Sequence, residues 1–440
     1  MRGPVRLIRT VTEGRSPITT NLGARIAALG ALSLASLLVA RTGGAALVGV
    51  FVLLRLLPWL TGVLLNLGLY GAAPYFLAGP RRAEPRYRVS IFAIALSSGA
   101  VGGLLWAAVA PLVAGSLFAG MSPSLIALAG VTVFTQCMET TAKASSQGFD
   151  DLHGSNRIIA LEEATFLPFY LLFLALGIEK HLAIVAALPL GDVCTGLSGW
   201  IRLVRRGFFR GVGHPTARLA RDVMAYGFRA QVGSVVLLLN ARLDFALVGA
   251  LVGPAALGIY AVASRFAELL RLPYLAVSYV LYPSYAKDGR EAAVPRAKAM
   301  MRRVGWVPAA AAVPLGIAAT FLLPALYGPT FHRAVAPTYV LLAGLCGTGL
   351  AGVITAFLMG SGRPGLNSLA NAAGLVLTVT LDLLLIPRLG VIGAAIASMC
   401  AYLTTTIVLL ALFRALTRPR RERVDEVPVL AQERVPEVTA

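Results

Sequence analysis

The chain has 440 residues, of which 57% are hydrophobic and only 13% are charged, and its mean hydropathy is +0.77. A charged fraction this low cannot cover the surface of a soluble domain of this size. The composition therefore excludes an ordinary soluble protein. The formal net charge of +19 does not indicate nucleic-acid binding, because the Arg and Lys residues lie in short segments between apolar runs.

Gly, Pro and charge clusters divide the chain into continuous apolar runs of about 20 residues, the length at which a helix crosses a bilayer. Strands of a membrane barrel would instead alternate polar and apolar residues. The runs predict an all-α membrane protein with about 12 transmembrane helices, over residues 22–40, 45–70, 89–114, 122–146, 157–177, 181–204, 224–252, 255–283, 302–326, 335–359, 366–387 and 390–416.

The positions of Arg and Lys between these spans predict the orientation. Thirty of the 39 basic residues lie in the N-terminal segment, the C-terminal tail or the loops on the same side, and only four lie in the loops opposite. Because cytoplasmic loops carry an excess of Lys and Arg, we expect both termini in the cytoplasm and the protein in the inner (cytoplasmic) membrane of the cell. The loops on the other side are too short for a catalytic or receptor domain.

Several features recur at an offset of 213 to 216 residues. Arg55 and Pro58 correspond to Arg271 and Pro273, and the glycines at 148 and 177 correspond to those at 362 and 390. Six spans per repeat would give two halves with the same orientation. The expected division is a cytoplasmic segment (1–21), an N-terminal six-helix lobe (22–204), a cytoplasmic linker (205–223), a C-terminal six-helix lobe (224–416) and a disordered cytoplasmic tail (417–440).

Charged residues within spans predict the functional site, because each costs about 2.5–3.5 kcal/mol to insert and therefore faces a cavity or a partner. A cavity lined by Arg suits a phosphate-bearing substrate. The candidate substrate-binding cations are Arg55, Arg242, Arg265 and Arg271, and the candidate coupling or cavity acids are Glu139, Asp192, Asp244 and Glu268. The alternative is structural: Arg265, Glu268 and Arg271 can pair along one helix face, and Glu162 and Glu163 can extend to the interface.

The His and Cys residues are scattered along the chain without the spacing of metal ligands. Neither a metal site nor a Ser/His triad is predicted. We therefore expect no cofactor and no enzymatic activity.

Two segments carry a family resemblance. The first runs from Leu243 to Gly249 and continues through Gly253 and Leu257-Gly258-Ile259-Tyr260 to Leu281-Tyr282-Pro283; the second comprises Gly360-Ser361-Gly362-Arg363-Pro364 and residues 385–395. They resemble the polysaccharide flippases, the oligosaccharide-repeat-unit branch of the multidrug/oligosaccharidyl-lipid/polysaccharide exporter superfamily. The resemblance implies two six-helix lobes around a central cavity and export of a polyprenyl-diphosphate-linked oligosaccharide.

We therefore expect a flippase that moves a lipid-linked oligosaccharide, the repeat unit of a cell-surface polysaccharide, from the inner to the outer leaflet by alternating access. Its expected partners are this substrate, membrane lipids and, as further candidates, polysaccharide-assembly enzymes. One alternative is a drug or cation antiporter of the same superfamily, which would need an acidic cavity. Another is a lipid II flippase, a group in which Arg55 has a counterpart but which usually has two more spans. A membrane glycan polymerase is less favoured, because the outer loops are short.

Overall fold

The computed structural model describes residues 17–78, 84–118, 120–211, 213–271, 281, 285 and 292–417. The predicted N-terminal segment up to residue 16, the tail after residue 417 and most of the second half of the eighth span lie outside these residues. Within them the chain forms helices and no strand, in the order α1 (Pro17–Leu65), α2 (Leu69–Leu77), α3 (Arg86–Leu117), α4 (Pro123–Leu128), α5 (Gly130–Gly148), α6 (Leu152–Ala164), α7 (Phe166–Ala175), α8 (Lys180–Arg205), α9 (Ala217–Leu251), α10 (Pro254–Glu268), α11 (Val307–Tyr327), α12 (Val335–Leu345), α13 (Thr348–Gly360), α14 (Pro364–Leu389) and α15 (Val391–Thr417).

The predicted all-α membrane fold is confirmed. Eight helices in the described part of the chain are long and apolar enough to cross a membrane, or nine if the bent pair α12 and α13 forms one span. The count is lower than 12 because α1 contains two predicted spans, α9 carries several charged residues, the predicted tenth span is the bent pair, and only residues 255–271 and 281 of the predicted eighth span are described. The predicted fourth and fifth spans each consist of two shorter helices, α4 with α5 and α6 with α7.

The long element α1 reverses direction at Gly44. This residue has a φ of 67° and a ψ of −163°, which are not helical values. Residues 33 and 55 line the same cavity, although a straight helix would separate them by about 33 Å. A glycine tolerates the positive φ that the turn requires. Gly44 therefore joins the first and second spans as a hairpin.

The two sequence halves make similar turns at corresponding positions. Gly177 between α7 and α8 has a φ of 74°, and Gly390 between α14 and α15 has a φ of 57°. These glycines were paired by their offset in the sequence, and the structure gives both the same role at the end of a span.

The halves meet closely at both ends of the second span. At the end predicted to be outer, a Cβ on Gly49 would lie 1.8 Å from the Pro254 carbonyl oxygen, and one on Gly258 would lie 1.9 Å from that of Ala45. At the end predicted to be cytoplasmic, Gln231 Nε2 donates to the Val63 carbonyl at 2.5 Å. We call these the outer end and the inner end. Such close approach between backbones needs residues without side chains. A cavity lies between the two contact regions.

Candidate functional site

The cavity between the halves has a volume of about 610 Å³ and is lined by residues of α1, α2, α5, α6, α8, α9 and α10. A cavity of this size is typical of small-molecule sites. Nine charged side chains line it: Arg55, Glu139, Lys143, Glu162, Glu163, Asp192, Arg242, Arg265 and Glu268. Six of the eight candidates from the sequence are among them. Three of the nine, Lys143, Glu162 and Glu163, were not predicted as site residues.

Arg55 forms a two-pronged ion pair with Glu163. Its Nη2 donates to Glu163 Oε1 at 2.5 Å, and its Nη1 donates to Glu163 Oε2. Arg55 lies 11 residues beyond the Gly44 turn, which brings it to mid-depth, and Glu163 lies near the end of α6. Both side chains are partly buried. The planar guanidinium matches the carboxylate in this arrangement, so the pair holds α6 against the second span.

Two further ion pairs neutralise cavity charges. Arg242 Nη1 on α9 donates to Glu268 Oε1 at the end of α10 at 3.0 Å, and Lys143 on α5 pairs with Glu162 on α6. Glu268, which the sequence placed between Arg265 and Arg271 on one helix, thus also pairs with an arginine of another helix. Each of the three ion pairs joins residues of the same half of the chain.

Arg265 differs from the other cavity cations. Its Nη1 donates to Ser36 Oγ at 2.8 Å, and within the described ranges no carboxylate forms a salt bridge with it. The positive charges of Arg55 and Arg242 act on it across the cavity. A guanidinium carries five N–H donors, so Arg265 retains donors for an anion.

Glu139 on α5 and Asp192 on α8 form an acidic region on the N-terminal side of the cavity. They are only 4% and 7% exposed, and Asp192 Oδ2 accepts a hydrogen bond of 3.0 Å from Thr135 Oγ1. Four acids and two cations line this side, whereas the C-terminal side has Arg242, Arg265 and Glu268. The cavity is therefore lined by acids as well as cations, and most of the acids lie on its N-terminal side.

Asp244 and Arg271 do not line this cavity. Asp244 lies inside the C-terminal half, where its Oδ2 accepts hydrogen bonds from Tyr260 at 2.5 Å and from Ser398 at 3.3 Å. The Arg271 guanidinium lies over the Tyr402 ring at 4.9 Å from its centroid. Asp382 in the same half is fully buried, and neither of its carboxylate oxygens has a hydrogen-bond partner in the described part of the chain.

The cavity residues on α5 follow a helical period that the sequence contains. Gln136, Glu139, Thr140 and Lys143 are spaced at i, i+3, i+4 and i+7 and all line the cavity. A polar stripe on an otherwise membrane-spanning helix indicates a hydrated surface. This pattern identifies Lys143, whereas the role of Glu163 becomes visible only when α6 packs against α1.

Comparison with protein families identifies the chain. Residues 75–336, more than half of its length, match the family described as "Polysaccharide biosynthesis protein". No curated protein sequence matches the chain at a significant level.

Solved transporter structures share the fold. The lipid II flippase MurJ in an inward closed conformation matches with a TM-score of 0.72 and 15% identity over 90% of this chain and 86% of that one. An inward-facing multidrug resistance MATE family transporter of the MOP superfamily matches with a TM-score of 0.68 and 16% identity, over 94% of this chain and 97% of that one. A third match is a MOP superfamily transporter from Pyrococcus furiosus, whose binding pocket is described as having reverse polarity. Its TM-score is 0.60 and its identity 13%, over 91% of this chain and 96% of that one.

The helical architecture of these transporters is the same as that of this chain, in which the helices surround a charged cavity. The fold of this chain is therefore the fold of these solved transporters, and the chain belongs to the family described as "Polysaccharide biosynthesis protein".

Proposed function

We propose that the protein is a flippase that moves a polyprenyl-diphosphate-linked oligosaccharide from the inner to the outer leaflet. The observation that carries the proposal is Arg265, a cavity cation with free donors and no carboxylate partner among the described residues. A diphosphate presents several oxygens to a planar donor group, the geometry for which Arg is suited. Membership of the family and likeness to a lipid II flippase support the same class of substrate.

Arg55 and Arg242 are proposed as secondary contacts for the diphosphate. Each is held by a carboxylate, so a phosphate must share or replace Glu163 or Glu268. Such an exchange costs less than exposing an unpaired charge, because each guanidinium keeps an anionic partner throughout. Arg271, which lies over Tyr402, is proposed as a support for this region rather than a direct ligand.

Transport is proposed to follow alternating access. The glycan would occupy the hydrated cavity while the polyprenyl chain stays in lipid, and rocking of the halves would open the cavity at the other end. The close contacts of Gly49 and Gly258 support a conformation whose outer end would be closed. The basic loops support an orientation with both termini in the cytoplasm, and polysaccharide-assembly enzymes remain candidate partners.

The buried acids are proposed as sites for a coupling proton or cation. A carboxylate in a low-dielectric interior is stable when it is protonated, paired or next to a cation. Glu139, Asp192 and Asp244 are all buried, and Asp382 lies near Asp244 without hydrogen-bond partners among the described residues. A change in occupancy at these acids would alter the balance between the two conformations.

A drug or cation antiporter is the second candidate. The acidic N-terminal wall of the cavity favours it, because Glu139 and Asp192 would attract a cationic compound. The similarity to MATE family transporters is in keeping with this alternative. A lipid II flippase would differ from the leading proposal in the headgroup attached to the polyprenyl diphosphate.

The experiment compares cells with and without the protein. The flippase proposal expects loss of surface polysaccharide and accumulation of lipid-linked oligosaccharide facing the cytoplasm. Wild type should restore export, Arg265→Ala should not, and Arg363→Ala, a change in an exposed arginine, is the matched control. Normal surface polysaccharide in cells without the protein, together with sensitivity to cationic compounds, would favour the antiporter instead.

A further inference from the structure

A second, smaller cavity opens at the inner end of the N-terminal half. Its volume is about 300 Å³. Tyr70, Thr140, Lys143 and Glu162 line both this cavity and the larger one, so the two cavities adjoin. The second cavity therefore extends the candidate site from mid-depth towards the cytoplasmic end.

Uncharged polar groups dominate the second cavity. Asn21 on α1 donates from Nδ2 to Asn156 Oδ1 at 2.7 Å, and Asn156 donates from Nδ2 to Thr20 Oγ1 at 3.1 Å. Gln147 and Ser155 add another amide and a hydroxyl to the wall, and Tyr70 adds an aromatic ring. Each amide has two donors and an acceptor with two lone pairs, so the recorded bonds leave donors and acceptors available to a ligand.

Two of the three charged groups of this cavity neutralise each other, and the third, the exposed Arg25, has no carboxylate partner among the described residues. Lys143 and Glu162 form an ion pair at its border with the larger cavity, and Arg25 donates from Nε to Asn21 Oδ1 at 3.0 Å. A phosphate would be better held by the partly buried Arg265 than by the exposed Arg25, whose charge water and salt screen. A hydrocarbon chain would leave the amides without partners. Amides, hydroxyls and one aromatic ring together match the hydroxyl and acetamido groups of a sugar.

The separation of the two regions suits a lipid-linked glycan. Asn156 precedes Glu163, the partner of Arg55, by seven residues on α6, which is about 10 Å along the helix axis. Gln147 follows Gln136 by 11 residues on α5, which is about 16 Å. A diphosphate at mid-depth would thus place the first sugars of its glycan beside the amides.

We propose that the second cavity is a glycan subsite that binds hydroxyl and acetamido groups of the lipid-linked oligosaccharide. The inference rests on the proposed flippase function and divides its site into a diphosphate region around Arg265 and a sugar region around Asn21, Gln147 and Asn156. Transport of the sugar-bearing lipid in preference to the bare lipid carrier would follow from the sugar region.

The test measures binding of two lipids to the purified full-length protein in lipid nanodiscs. One probe is polyprenyl diphosphate without sugar, and the other carries a disaccharide that contains an N-acetylhexosamine. The variants are Gln147→Ala, whose exposed side chain forms no hydrogen bond with another described residue, and Asn156→Ala, which also removes the link to α1. Asn371→Ala, in the C-terminal half and outside both cavities, is the matched control. Melting temperatures check that each variant is folded.

Wild type should bind the glycosylated lipid more tightly than the bare lipid. Gln147→Ala and Asn156→Ala should weaken binding of the glycosylated lipid by about 3- to 10-fold and leave the bare lipid unchanged. Equal wild-type affinity for the two lipids, with Gln147→Ala unchanged for both, overturns the glycan subsite and leaves diphosphate binding intact. Binding of neither lipid by wild type overturns both the subsite and the flippase proposal.

Discussion

Arg265 Nη1 donates a hydrogen bond of 2.8 Å to Ser36 Oγ, and this contact links the eighth span to the first. Ser36 is completely buried, so the hydroxyl holds the guanidinium in a fixed position. The cation best placed to bind an anion therefore also connects the two halves. An anion that draws Arg265 away from Ser36 would loosen the contact between the halves.

The first prediction concerns Arg265. Replacement by Ala should weaken binding of a polyprenyl-diphosphate-linked disaccharide by about 10- to 100-fold, because hydrogen bonds to charged groups are strong. Arg265→Lys should fall between this variant and wild type, since the charge remains and the planar donor fork is lost. The control Ser36→Ala should bind equally or more tightly, because it removes a competing acceptor. Unchanged binding by Arg265→Ala would exclude this residue as the principal ligand.

The second prediction concerns the ion pair between Arg55 and Glu163. Removing either partner leaves a partly buried charge without its counterpart, so Arg55→Ala and Glu163→Gln should each lower the melting temperature. The double variant should be more stable than the sum of the single effects predicts, with a coupling energy of about 1–3 kcal/mol. Thermal unfolding of wild type, the two single variants and the double variant in the same detergent measures this energy. Strictly additive effects would show that the pair does not contribute to the fold.

The same ion pair makes a separate prediction for binding. Glu163→Gln frees the donors of Arg55, so a polyprenyl diphosphate should bind a fewfold more tightly to this variant. Glu162→Gln, which frees Lys143 nearer the inner end, is the matched comparison. Weaker binding by Glu163→Gln would mean that the carboxylate positions Arg55 rather than competing with the substrate.

The third prediction concerns the close contact at the outer end. A methyl group on Gly258 would overlap the Ala45 carbonyl oxygen, so Gly258→Ala should separate the halves there and reduce transport. Gly23→Ala is the control, because nothing lies within 4 Å of a Cβ at that position. Reaction of a cysteine introduced at Thr42 with a membrane-impermeant thiol reagent, in a chain with its four native cysteines replaced, reports the opening. Equal reactivity in the two glycine variants would contradict a closed outer contact.

The fourth prediction concerns Asp151, which caps α6 at the inner end outside the predicted spans. Its carboxylate accepts hydrogen bonds from the Gly154 backbone at 3.0 Å and from Arg202 at 2.5 and 2.9 Å. Burial raises the pKa of Asp151, but these hydrogen bonds and the charges of Arg202 and Arg206 outweigh it, and the pKa lies below its ordinary value. Stabilisation is therefore present above the unfolded pKa of about 3.9 and is lost as the pH falls through the folded pKa.

Asp151→Asn should accordingly destabilise the protein at pH 7 by up to about 1 kcal/mol, because the amide oxygen still caps α6 but the negative charge that faces Arg202 and Arg206 is lost. The difference in melting temperature between variant and wild type should shrink below about pH 4. Asp222→Asn, a change at an exposed carboxylate, is the control. A difference that stays constant from pH 7 to pH 3 would show that the charge of Asp151 does not stabilise the fold.

The sequence by itself determined the all-α membrane fold and the approximate limits of its spans. A helix that crosses the hydrocarbon core of a bilayer must be long and apolar, so the length and composition of each span can be recognised in the sequence. Six of the eight proposed site residues line the cavity for the same reason, because charges within spans are costly unless they face water or a partner. The polar stripe of α5 can also be recognised in the sequence, because its residues recur at the helical period.

Only the tertiary structure decided which charges meet. Arg55 and Glu163 are 108 positions apart, and nothing in the period of either helix specifies that α6 turns this carboxylate towards the second span. Glu268 pairs with Arg242 on another helix rather than with Arg265 three residues away. Contacts such as Gly49 with Pro254 set the spacing and rotation of the helices. Because ion pairs form within a few ångströms, that packing left Arg265 as the cavity cation whose donors remain open among the described residues.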